Sequence, residues 1–198
     1  MKYLIIIACA ISFLSGCSTH LTNVEYKGFG VSTVSEESLI NNVIVTDKRG
    51  TDSDWLGAIR GGYGNRLKTL RTQESTDIVV NKVYTDALIK SNLYTSSKDS
   101  PYSLKIEITK FDCSYYFNRE AHAHVNILLI DNITSATKFS KTYKTDEVES
   151  GFGAGIFGDV DTLRNLAETA MNKTVDKTLT DPEFIEALSS KESNVSVQ

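Results

Sequence analysis

The chain has few cysteines: three in 198 residues, at positions 9, 17 and 113, and the first two fall in the N-terminal seventeen. The body therefore holds one thiol, Cys113, and a lone thiol makes no internal bridge, which excludes a disulfide-stapled scaffold. Nothing in its neighbourhood gives it the lowered pKa of a nucleophile, so it is expected as a small core or strand-edge hydrophobe. Positive charge is also short, with 21 Lys and Arg against 25 Asp and Glu, for a net charge of −4. No overall basic field exists to hold nucleic acid, and that partner class is not expected. No apolar run approaches the roughly 20 residues of a bilayer span. There is no internal repeat, no Ser, His and Asp grouping with nucleophile-elbow spacing, and no Cys/His ligand pattern apart from two neighbouring histidines. Neither an enzyme nor a resident cofactor is expected on these grounds. The 40% of apolar residues and nine tyrosines suffice for the core of one domain.

At the amino end, Lys2 precedes an apolar run from Tyr3 to Phe13, followed by Leu14-Ser15-Gly16-Cys17 and then polar Ser18, Thr19 and His20. Leu-small-small-Cys after such a run resembles the lipobox of bacterial lipoproteins. The resemblance implies cleavage before Cys17, a diacylglycerol on its sulfur and an acyl group on its new amine. At about 0.8 kcal/mol per buried methylene, three chains would anchor the protein almost permanently. Ser18, where an aspartate would retain such a protein in the inner membrane, implies the outer membrane, facing the periplasm. The expected plan is a signal peptide at 1–16, a lipidated N-terminus and tether at 17–42, one periplasmic domain at 43–188, and a disordered tail at 189–198.

Within that domain, Val43-Ile44-Val45 is a short buried strand. Four glycines in the eight residues from Gly57 to Gly64 predict a long shaped loop. Val79, Val80, Val83, Tyr84, Ala87 and Leu88 recur at helical spacing after N-cap chemistry near Ser75, with Asn92 as a left-handed terminator. Three alternating strands follow: one with Leu104, Ile106 and Ile108 inward, one from 119 to 130, and one from 137 to 145. A long helix from Asp161 to Leu179 and a short one opening at Asp181-Pro182 complete the chain. The predicted fold class is α+β, an antiparallel sheet of about four strands with two main helices on one face, in the order β-α-β-β-β-α.

Three constellations are candidate sites. From 47 to 71 there are six Lys and Arg against three Asp, so Arg49, Arg60, Arg66 and Lys68 form a candidate anion or partner loop. The alternative is that these cations brace backbone carbonyls and surface carboxylates. Glu120, His122 and His124 share one face of a strand and are weak metal candidates; the alternative is the wet side of a sheet. Phe152, Ile156 and Phe157, on a Gly-rich turn, form a candidate hydrophobic contact loop, or else plug one end of the sheet. The same turn reads G-x-G-x-x-G from Gly153 to Gly158. It lacks the following strand and acidic residue of a dinucleotide site.

An Asp-x-Arg closing an early strand (Asp47-Lys48-Arg49), then Leu56-Gly57 and a Gly-rich turn before a helix, resembles the YajG family of bacterial lipoproteins over roughly residues 40 to 180. That resemblance implies a fold and an address but no activity. The expected function is a non-enzymatic, lipid-anchored protein that binds or supports an envelope protein or glycolipid. Its alternatives are a metal-dependent hydrolase using Glu120, His122 and His124, and a structural subunit of an envelope assembly.

Overall fold

Alternation decides the frame. The computed structural model describes residues 18–28, 39–150 and 159–189. In chain order the described elements are β1 (Ser18–Thr22), β2 (Ile40–Asp47), β3 (Trp55–Arg60), β4 (Arg66–Thr72), α1 (Thr76–Lys90), β5 (Tyr102–Tyr115), β6 (Asn118–Asp131), β7 (Thr137–Ser150), α2 (Val160–Leu179) and α3 (Pro182–Ser189). Strands β5, β6 and β7 each run 14 residues and form the expected antiparallel meander. Along β6, Ala121, Ala123, Val125, Ile127 and Leu129 are fully buried, while the residues between them keep part of their surface in solvent. One face of the sheet is therefore dry and the other wet.

The expected four-stranded antiparallel sheet with two main helices is overturned. Seven strands form one mixed sheet, and three helices accompany it among the described residues. The path runs β1-β4-β3-β5-β6-β7, and β2 also pairs with β5. Parallel pairings join β1 to β4, and both β2 and β3 to β5. The last two share one edge of β5: β2 lies along Tyr102–Ile108, and β3 along Cys113–Tyr115.

The predicted glycine-rich loop is also corrected, because most of it is the β3–β4 hairpin. Strand β3 is buried from Leu56 to Ile59 and shows no alternation, so its sequence carries no period of two. Gly57 is there for close approach: a Cβ would sit 2.0 Å from the Cys113 carbonyl oxygen. Only the turn itself needs loop chemistry, with Gly64 at φ +78° and its N–H donating to the Gly61 carbonyl.

Part of the expected tether is likewise folded. Ser18–Thr22 is the edge strand β1. Beyond it Val24 and Tyr26 are buried, Tyr26 donates its hydroxyl proton to Asp176 on α2 (2.7 Å), and the Lys27 N–H donates to Asn172 (2.7 Å). Burial of two apolar residues at alternate positions, together with these hydrogen bonds, lays this polar segment along a helix.

The helices cover the dry face. α1 buries the stripe from Val79 to Leu88 and packs on β2, while α2 buries Leu163, Leu166, Ala167, Ala170, Met171, Val175 and Leu179 against β5, β6 and β7. Ser75 makes no side-chain cap to α1; the Thr76 N–H donates instead to the Ser53 carbonyl (2.7 Å). Asp159 does cap α2, accepting from the Asp161 and Thr162 N–H groups, and Asn92 ends α1 at φ 56°.

Candidate functional site

The wet face of the long meander gathers the polar cluster. In β6, His122 and His124 are two apart and share that face, and the β6–β7 register sets His122 directly opposite Asp146. Asp146 Oδ1 contacts His122 Nδ1 and lies 2.8 Å from His124 Nε2, so two imidazoles converge on one carboxylate oxygen. The hydrogen bond with His122, then that with His124, holds the Asp146 carboxyl below its ordinary value, and it is ionised at neutral pH. The donor atoms of the three residues lie within 4.8 Å of one another. Glu120, the third residue of the sequence set, faces Val148 across the same register and is not in this cluster. Asp146 escaped the sequence reading because that reading ended the third strand at Thr145. Phe139 and Tyr143 face inward, so continuing their alternation puts Asp146 on the outer face; its place opposite His122 follows only from the register, which shifts by one residue between Leu129 and Ile130.

A second assembly lies at one end of the sheet. The registers Arg60 with Arg66, Ile59 with Tyr115, Tyr115 with Arg119, and Asn118 with Ser150 bring the β3–β4 turn, the β5–β6 turn and the end of β7 to the same edge. The Tyr116 hydroxyl donates to the Gly62 carbonyl (3.1 Å) and ties the two turns together. Between them Tyr63 is fully exposed and Phe117 is 70% exposed. Ser18 opens β1 opposite Lys68 and so begins at this end as well.

The four cations of the sequence set do not act as one loop. Arg49 is buried: Nε and Nη2 clasp Asp47, and Nη1 donates to the carbonyls of Trp55 and Phe111, each at 2.7 Å. It fills the gap between the end of β2 and the start of β3, where the Phe111 carbonyl faces no strand. Arg60 donates to the Gly64 carbonyl (3.2 Å), and Arg66 lies 4.7 Å over the Trp55 ring. Lys68 stands beside Ser18 in register. Cys17 and the segment with Phe152, Ile156 and Phe157 lie outside the described residues. Cys113 is buried, and burial first, then the charge of Asp112, push its thiol pKa up, which makes thiolate scarce. Among the described residues no helix is long and apolar enough to cross a membrane.

Comparison of the sequence with protein-family models yields no match, and comparison with curated proteins yields none. The resemblance to the YajG lipoproteins is thus supported by neither comparison. Solved structures do match in fold. Protein XCC0632 from Xanthomonas campestris, of family DUF330, superposes with a TM-score of 0.61 at 13% identity, covering 87% of this chain and 98% of its own. An uncharacterised protein gives 0.53 at 7% identity, with 83% and 97% covered. A candidate lipoprotein from Caulobacter crescentus gives 0.44 at 14% identity, with 57% and 82% covered. The first two likenesses establish a shared fold and do not reach function.

Proposed function

We propose that this chain is a bacterial envelope lipoprotein, lipidated at Cys17, whose single domain sits directly against the membrane and binds another envelope component without catalysis. One observation carries the reading. Ser18, joined by a single peptide bond to Cys17, opens β1 at the end of the sheet where Tyr63 and Phe117 are exposed. Consecutive Cα atoms are about 3.8 Å apart, so acyl chains on Cys17 would enter the bilayer beside this end. Amphipathic tyrosines suit the headgroup layer, and the basic residues Arg60, Arg66, Lys68 and Arg119 at the same end suit anionic headgroups. The tether is then close to zero length. The wet face of the meander, carrying His122, His124 and Asp146, would project into the periplasm and be available to a protein or glycolipid partner. Ser18 in the position after the cysteine supports the outer membrane as the address.

Mass spectrometry of the mature amino terminus, combined with membrane fractionation, tests this reading. The expected result is a cleaved chain beginning at a diacylglyceryl, N-acylated Cys17 in the outer-membrane fraction, with Cys17→Ser uncleaved or released. A wild-type chain that retains Met1, or that carries no lipid, would overturn it.

A further inference from the structure

We propose that His122, His124 and Asp146 form a binding site for a zinc-class divalent metal ion, with a fourth coordination position open to water. The backbone sets the geometry. Residues i and i+2 of a strand project from one face, and a residue directly opposite on the neighbouring strand brings its Cβ to within about 5 Å, so His-x-His plus one cross-strand carboxylate makes a triangle of donors. Here that triangle is closed: both imidazoles already address Asp146 Oδ1, and the three donor atoms lie within 4.8 Å of one another. Around a tetrahedral zinc with bonds of about 2.0 to 2.1 Å, donors sit about 3.4 Å apart, so side-chain rotation without backbone movement completes the site. Two nitrogens and one carboxylate oxygen suit zinc and its first-row neighbours better than calcium or magnesium, which prefer oxygen ligands.

The surroundings are consistent with a cation. The histidine side chains are 19% and 17% exposed and so held by their neighbours, whereas Asp146 is 52% exposed and reachable from solvent. In register, Asp112 of β5 lies opposite His122, and Glu120 is two residues back on the same face; Lys110 and Lys144 flank His124. Lys144 is exposed and Lys110 half-buried.

The test uses the full-length chain in detergent, stripped of metal by chelator and titrated with Zn²⁺ against a fluorescent competitor, with Co²⁺ absorption as a second readout. The wild type should take one equivalent and give the intense visible bands of tetrahedral cobalt. His122→Ala, His124→Ala and Asp146→Asn should each weaken binding more than about tenfold, since even groups that only orient ligands cost 10- to 100-fold. Glu120→Gln should leave binding unchanged. Asp146→Asn keeps the shape and a hydrogen-bonding oxygen, so a loss in a variant that melts at the wild-type temperature reports a lost ligand. A wild type that takes up no zinc at micromolar concentrations, binding that survives all three substitutions, or equal loss in Glu120→Gln would overturn the site.

Discussion

Arg49 and Phe111, 62 residues apart, are joined by a hydrogen bond of 2.7 Å in which the guanidinium donates to a main-chain carbonyl that no strand reaches. The same guanidinium clasps Asp47 and donates to the Trp55 carbonyl, so one side chain closes the break in the sheet between β2 and β3. Arg49→Lys should destabilise the fold by about 2 kcal/mol, because an ammonium cannot reproduce the forked bonds. Arg49→Ala should cost roughly 3 to 5 kcal/mol by stranding Asp47. Urea denaturation measures both. Burial works to raise the Asp47 pKa, but the hydrogen bonds and charge of Arg49 outweigh it and hold the value below 3.8. A depressed carboxylate stabilises the native state above its unfolded pKa, and that contribution is lost as pH falls through the lower folded value. The wild type should therefore lose stability relative to Asp47→Asn only in the acid range below about pH 4.

Gly57→Ala should be among the most damaging of the single-methyl substitutions. The added Cβ would meet the Cys113 carbonyl oxygen at 2.0 Å and its sulfur at 2.7 Å, so the β3–β5 pairing must open. A loss of about 1 to 3 kcal/mol or more is expected from overpacking. Because the nearer obstacle is backbone, adding Cys113→Ala should not restore the denaturation midpoint. Rescue by that second change would place the conflict at the sulfur instead.

Tyr143 and Asp181 form a buried junction between β7 and α3. The tyrosine hydroxyl donates to Asp181 (2.6 Å), which also accepts from Lys141 (2.8 Å) and from the Glu183 N–H (2.9 Å) at the start of the helix. Asp181→Ala should cost about 1 to 2 kcal/mol as cap and acceptor are lost together. Tyr143→Phe should cost about 1 kcal/mol, and the double variant less than the sum. Burial opposes ionisation of Asp181, yet Lys141 and Tyr143 hold its pKa below the ordinary value. Its contribution is therefore complete above the unfolded carboxylate pKa and disappears as pH falls through the folded one.

The aromatic end of the sheet should bind membrane in the absence of lipidation. A Cys17→Ser chain without its signal should partition onto vesicles containing anionic lipid, and Tyr63→Ser or Phe117→Ser should each lower that partition about tenfold, the equivalent of roughly 1.4 kcal/mol of aromatic burial. Raised salt should weaken the binding through the basic residues at this end. Partition that is indifferent to both aromatic substitutions would leave the lipid as the sole anchor.

Strong periodicity made the elements legible in the chain alone. The stripes of α1 and α2 and the alternation of Leu104 to Ile108 and Ala121 to Leu129 name the residues that the structure buries. The hairpin from 55 to 72 was not legible because β3 is buried without alternation and Gly57 reads as a breaker until its neighbour Cys113 is known. For the polar cluster, the His122-x-His124 pair was visible and Asp146 was not, because its place depends on a cross-strand register.

The sequence alone determined the stripes of α1 and α2, the alternation of the long strands β5 and β6, and which of their faces are apolar. These are local matters of period, composition and capping. Only the tertiary structure decided that β1 runs parallel to β4 and both β2 and β3 to β5, that Arg49 is a brace within the sheet, and that Ser18 shares an end with Tyr63 and Phe117. Each of these depends on pairings between residues far apart in the chain, whose free energy comes from backbone hydrogen bonds and packing available to many strand orders, and no local pattern distinguishes one order from another.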